Sequence, residues 1–180
     1  MKIFVYLVLA IQAVVSLNVY ANNSNEVSLM TSEFEQRLQI LEDRGAIKTL
    51  VDTFSNLADT KEIDKQVQLF TENATVESYS DGKLSSSLKG RKQIGETFSA
   101  FLSNFDTVYH INGQQTVEIS GDTASGTSYC LVVLIGAVDG KVYRNTMGVK
   151  YKDNYVRENG QWLIAKRVSD FVWRTVDEVK

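Results

Sequence analysis

The segment DTVYHINGQ, residues 106–114, carries the single histidine of a 180-residue chain, His110. The run alternates as a strand does: Val108, His110 and Asn112 project to one side, Tyr109 and Ile111 to the other. An imidazole titrates near pH 6.5, so it can take up and release a proton at neutral pH. One histidine and one cysteine are too few for the usual histidine–cysteine zinc sites. No phosphate-cradling glycine motif occurs either, so chemistry at His110 is expected to need no cofactor. Cys130, in SYCLVVLIG, reads as a small buried hydrophobe without a disulfide partner. Taken alone, a strand histidine is more often a core or edge residue than a catalyst. Asp59, where a helical stretch ends, is by itself suited to cap the helix that follows.

These residues are set in a chain with a marked beginning. Lys2 precedes an apolar run from Ile3 to Leu17, broken by Gln12 and Ser16, and Ala21 stands before a run of polar residues. A basic start, an apolar centre and a small residue are the layout of a bacterial secretory signal. Residues 1–21 are therefore read as a signal peptide cleaved after Ala21, 22–31 as a polar linker and 32–180 as one domain. The apolar run is shorter than the ~20 residues a membrane span needs. The mature protein is expected in the periplasm or outside the cell, without a membrane partner. A net charge of −3 and the lack of a basic stripe argue against nucleic acid.

From Thr31 or Ser32 a helical period carries Phe34, Leu38, Leu41, Ile47, Leu50, Val51, Phe54 and Leu57. Ser32 and Glu35 are spaced as a capping box, and Gly45 is a place to bend. A short helix over 61–70 presents Ile63, Val67 and Phe70. A strand over 73–80 turns at Asp81-Gly82, and a third helix from Gly90 offers Ile94, Phe98, Phe101 and Leu102 to the core. Strands over 107–120, 123–138, 141–159 and 161–176 follow, joined at Gly121-Asp122, Asp139-Gly140 and Asn159-Gly160, all strong hairpin signals. Phe54, Phe70, Trp162 and Trp173 are expected mostly in the core, and the run over 150–158, KYKDNYVRE, on a solvated face. Helices first and an antiparallel meander after argue an α+β fold.

The words LADTKEIDKQVQLFTENATVES, GRKQIGETFSAFL, YHINGQQTVEISGDTASG and ENGQWLIAKR stand in an order that resembles the SnoaL-like branch of the nuclear-transport-factor-two-like superfamily. The resemblance runs from Phe34 to Trp173. It implies a cone-shaped α+β barrel, a strongly curved sheet wrapped around a pocket and closed by three helices. Dehydratase-like members, scytalone dehydratase among them, pair an aspartate at the end of the first helix with a histidine on the strand after the third. Asp59 and His110 take those places, so the resemblance implies a catalytic dyad. It departs at three points: Ala58 stands where a tyrosine is usual, Ser78 where a second tyrosine is, and Leu134 near where a second histidine falls.

Such a dyad in an apolar pocket could take a proton from a carbon next to a carbonyl and return one to a departing hydroxyl. The same parts serve isomerisation or aldol cyclisation. Tyr79, Tyr129 and Asn145 are the candidates to polarise the carbonyl, with Phe98 and Asn112 as further lining. Two readings result. One is an exported cofactor-free dehydratase, isomerase or cyclase acting on a small apolar carbonyl compound. The other is a non-catalytic binder of a small apolar molecule, or a dimerisation module. A homodimer through the outer sheet face is expected, with Tyr109, Val132 or Leu134 exposed on it.

Overall fold

The computed structural model describes residues 2–179, with side chains from residue 26 onward. The expected signal, 1–21, therefore falls outside the described side chains. The chain forms two compact units, Met1–Glu42 and Asp43–Lys180. Helix α1, Lys2–Asp59, does not begin at the expected cap. Thr31 Oγ1 donates to the Val27 carbonyl (2.8 Å), a bond made inside a helix rather than at its start. Gly45 does not split it. Phe34, Leu38 and Leu41, expected on a packed face, are exposed. An apolar stripe is buried only where another element covers it, and the first unit is, from Lys2 onward, a single stretch of helix. Among the described residues no helix is long and apolar enough to cross a membrane.

In the second unit the apolar face of α1 is real: Ile47, Leu50, Val51, Phe54 and Ala58 are all buried. Helix α2, Ile63–Gln66, leads through a 3-10 turn, Val67–Leu69, into strand β1, Phe70–Ser80. Strand β2, Lys83–Lys89, returns antiparallel, and α3, Gly90–Leu102, crosses to the meander. The meander is β3 (Thr107–Ser120), β4 (Thr123–Val138), β5 (Lys141–Glu158) and β6 (Gln161–Glu178). The sheet order is β2-β1-β6-β5-β4-β3, with β1 and β6 parallel and every other pair antiparallel. The fold is thus α+β with one curved mixed sheet, left open at the edges β2 and β3 rather than closed into a barrel.

Three of the turns explain why the strand limits were legible. Asp81-Gly82, Asp139-Gly140 and Asn159-Gly160 all have positive φ at both residues, the backbone of two-residue hairpins that match strand twist. Two apolar clusters fill the inner face. One gathers Ile47, Phe54, Phe70, Ile94 and Ile164. The other gathers Ala58, Leu102, Val108, Val132, Leu134 and Met147.

Several side chains face other than expected. Val132 and Leu134 are buried, not outward, because they pair with His110 and Val108 and so share the inner face. Phe101 and Trp173 are about half exposed. Trp173 pairs with Gly148, and a methyl group added there would lie 2.2 Å from the indole nitrogen, so the glycine makes room for the ring. The run over 150–158 is solvated on one face only, with Tyr151, Asp153 and Tyr155 buried.

Candidate functional site

Asp59 is the last residue of α1, and His110 lies on β3, an edge strand with a row of unpaired backbone groups. The aspartate meets that edge twice. The His110 backbone N–H donates to Asp59 Oδ2 (3.3 Å), and the ring Nδ1–H donates to Oδ1 (2.6 Å). A carboxylate at a helix C-terminus opposes the helix dipole, a small cost that this pairing offsets. Asp59 does not cap α2, whose N-cap is Glu62 with no side-chain cap bond. Because a carboxylate only accepts, Nδ1 carries the proton and Nε2 is left as the basic nitrogen.

Asn112 holds the two elements together instead of lining a pocket. Its Nδ2 donates to the Val51 carbonyl (3.2 Å) and Asp52 Oδ1 (3.0 Å), and its Oδ1 accepts from Ser55 Oγ (3.1 Å). The strand then bulges between Asn112 and Gln115, at Gly113. Burial drives the His110 imidazolium down, Asp59 pulls it up by less, and Arg167 adds to the lowering. His110 is therefore neutral at pH 7, ready to accept a proton.

His110 lies on the wall of a cavity of about 300 Å³ formed where the two apolar clusters meet. Phe54, Ala58, Val76, Phe98, Leu102, Val132 and Met147 make most of its wall. Phe98 is held edge-on by Phe54 and Phe70. Phe101 lines it as well, packed on Phe105. The three positions of departure, Ala58, Ser78 and Leu134, all line the cavity, so its surface is less polar than the resemblance implied.

The expected carbonyl-polarising groups are elsewhere. Tyr129 lies on the outer face beneath Lys150, because the buried neighbours Ser128 and Cys130 fix the strand phase. Tyr79 points to the opposite face from Ser78, beside Glu77, because β1 keeps its alternation along β6 and leaves Ser78 at the cavity. Asn145 is buried on the inner face but beyond Met147, where it accepts from Arg174. Cys130 is buried, and burial pushes its thiol up to about 11, which suits an inert core residue.

The sequence reading missed Arg167. It is 1 % exposed and lines the cavity. Its Nε and Nη2 donate to Asp153 Oδ1 and Oδ2 (2.9 and 2.7 Å), and its guanidinium lies against Phe54 and Tyr151 (4.1 and 4.3 Å). Nη1 has no partner. Burial pulls this guanidinium down, but the Asp153 carboxylate outweighs it and keeps the group charged. Strand alternation from Trp162 and Ile164 sends Lys166 inward and Arg167 outward. In the structure Ile164 pairs with Tyr155 and Lys166 with Asn154, so Ala165 is an extra residue that reverses the phase. No sequence signal marks that bulge. Among the described residues, no cluster of His, Cys, Asp and Glu is spaced to hold a metal ion.

The family model of the SnoaL-like domain matches residues 39–168. The chain belongs to the SnoaL-like family. Among curated relatives, an uncharacterized protein of Mycobacterium tuberculosis is 30 % identical over 129 residues, covering 71 % of this chain and 84 % of that protein. Among solved structures, this SnoaL-like chain is similar to a candidate scytalone dehydratase from Novosphingobium aromaticivorans. The TM-score is 0.68 with 21 % identity, over 78 % of this chain and 91 % of the other. It is also similar to a hexachlorocyclohexane dehydrochlorinase, LinA-type3, from Novosphingobium barchaimii. There the TM-score is 0.66 with 18 % identity, over 78 % and 93 % of the two chains. At these identities the likeness is one of fold.

Proposed function

We propose that this SnoaL-like protein is a cofactor-free lyase or isomerase that uses Asp59 and His110 on a small, mostly apolar carbonyl compound. The observation that carries the reading is the 2.6 Å bond from His110 Nδ1 to Asp59, made at the wall of an apolar cavity. In a dehydration, His110 Nε2 removes a proton from the carbon next to the carbonyl. The C–H electron pair becomes the new C=C bond, and the C–O pair leaves with the hydroxyl. The protonated imidazole gives its proton to that oxygen, so the products are an enone and water. Asp59 stabilises the imidazolium while it lasts. Arg167 Nη1, charged and without a protein partner, is the donor we assign to the carbonyl oxygen as negative charge builds there.

Exchange of the acidic C–H protons of 2-tetralone in D₂O tests this reading without knowledge of the natural substrate. Wild-type protein is expected to catalyse the exchange and His110→Gln to lose it. Since burial lowers the His110 pKa, the acid limb of kcat/KM should fall below pH 6.5, where free imidazole titrates. Folding shares that sign. Below pH 6.5 the unfolded chain takes a proton that the native histidine refuses, so stability is lost as pH falls through that range. Binding of 2-tetralone without exchange at any pH would favour the non-catalytic binding role.

We further propose export and pairing. Lys2, the apolar run to Leu17 and Ala21 support a cleaved signal, and hence a periplasmic or secreted protein. Tyr109, Ile111 and Trp173 are exposed on one outer face, with Leu131 and Gly148 joining Ile111 to Trp173 across neighbouring strands. A second copy of the chain is the partner we assign to that apolar face. Protein recovered from the native host should begin at Asn22 and sediment as a dimer that Ile111→Glu dissociates; a start at Met1, or a monomer before mutation, would contradict it.

A further inference from the structure

The sheet wall of the cavity contains a row that neither the dyad nor Arg167 accounts for. Ser86 on β2 pairs with Ser78 on β1, Ser78 pairs with Ser169 on β6, and Ser169 pairs with Tyr151 on β5. Paired residues on neighbouring strands share a face, so the four hydroxyl-bearing side chains stand side by side across four adjacent strands. All four line the same cavity. Ser169 and Tyr151 are more than nine-tenths buried. Among the described residues none of the four hydroxyls is engaged by another side chain. Burial pushes the Tyr151 phenol up, so it stays an O–H donor throughout the neutral range.

Ser78 and Ser86 are half-buried, so the row is a set of donors and acceptors open to a ligand in an otherwise mostly apolar cavity. Two other residues that line this cavity each carry a buried polar atom without a protein partner. Arg167 Nη1 follows the row two residues back on β6, and Gln66 has its Nε2 fixed on the Phe54 carbonyl (2.9 Å), which leaves Oε1 unpaired. Both residues are 1 % exposed. An apolar ligand would leave the hydroxyls of the row without partners.

We propose that Ser86, Ser78, Ser169 and Tyr151 form an oxygen-reading row that binds oxygen substituents along one edge of a flat ligand. The proposal rests on the reading of this cavity as the ligand site and specifies its substrate class. Neighbouring strands are ~4.8 Å apart, and two oxygens in a 1,3 relationship on a six-membered ring are separated by about the same step. Oxygens in a 1,2 relationship are too close together to address two strands. The preferred ligands are therefore 1,3-dioxygenated ring compounds, whose ring lies against Phe98 while its oxygens meet the sheet.

The test is calorimetric binding of naphthalene, 1-naphthol, 2,3-dihydroxynaphthalene and 1,3-dihydroxynaphthalene. The proteins are wild type, Ser78→Ala/Ser169→Ala, Tyr151→Phe and His110→Gln, each checked for folding by thermal melting. Wild type is expected to bind the 1,3-diol about tenfold more tightly than either the mono-ol or the 2,3-diol, the fold-change of one net hydrogen bond. The double serine variant should lose that preference while its affinity for naphthalene holds, and Tyr151→Phe should reduce it. His110→Gln should keep the preference, which separates this row from the dyad even if 2-tetralone exchange fails. Equal affinity for the two diols would overturn the proposal. A preference that survives in the serine variant and vanishes in His110→Gln would assign the oxygens to the dyad instead.

Discussion

Asp59→Asn should reduce catalysed exchange of 2-tetralone by about 10³–10⁴-fold while the protein stays folded. The substituted amide keeps the size of the carboxylate and loses its charge. His110 Nδ1–H, now donating to Asp59 at 2.6 Å, would then meet a group able to present N–H in its place. That favours the wrong tautomer, with the proton on Nε2 and the basic lone pair turned to the helix. The loss should fall on kcat, because Asp59 touches His110 and is not among the cavity-lining residues. A histidine NMR titration gives a second readout that a structural role alone would not move. Asp59 raises a pKa that burial depresses, so its neutralisation should take the His110 value lower still. An unchanged titration together with unchanged exchange would remove the dyad from the mechanism.

Asp153→Ala is expected to destabilise the fold by about 3–5 kcal/mol, the cost of leaving a buried charge without its partner. Asp153 and Arg167 are each about 1 % exposed, and the carboxylate accepts two bonds from the guanidinium and one from Tyr155 (2.9 Å). Denaturant midpoints measure the change. The pairing of charges, not the shape of Asp153, is at issue, so the double variant Asp153→Ala/Arg167→Met should regain most of the loss. It should also fail to accelerate exchange, since it has no donor for the carbonyl oxygen. A single variant that loses less than ~1 kcal/mol would mean that water or another group satisfies Arg167.

The secondary structure of the second unit was legible because its signals are local. Aspartate or asparagine before glycine closes a hairpin through backbone that glycine adopts freely, and it does so without help from distant residues. The alternation around His110 is local too, and it placed Tyr109 and Ile111 outward and Val108 inward, as the structure has them. Where the reading failed, a distant partner or a change of phase decided the outcome. Phe34, Leu38 and Leu41 have the spacing of a packed face, but spacing cannot tell whether a partner exists. Tyr129 and Tyr79 have the right chemistry for a carbonyl-binding group. The phases of β4 and β1 turn them away.

The sequence by itself determined the α+β class, the helix–strand order, nearly every turn and the family to which the chain belongs. It also placed Asp59 and His110 as the pair to watch, through their positions in a recognisable order of segments. Only the tertiary structure decided what surrounds them. Closing a curved sheet under α1 brought the helix end to an edge strand 51 residues away and set His110 on a mostly apolar wall. One extra residue in β6, Ala165, turned Arg167 and Ser169 inward and thereby set the cavity's charge and part of its hydroxyl row. A strand's side chains alternate with a period of two, so a single unpaired residue exchanges the two faces. Nothing in the composition of WLIAKRVSD announces it, because a bulge is fixed by pairing with the neighbouring strands.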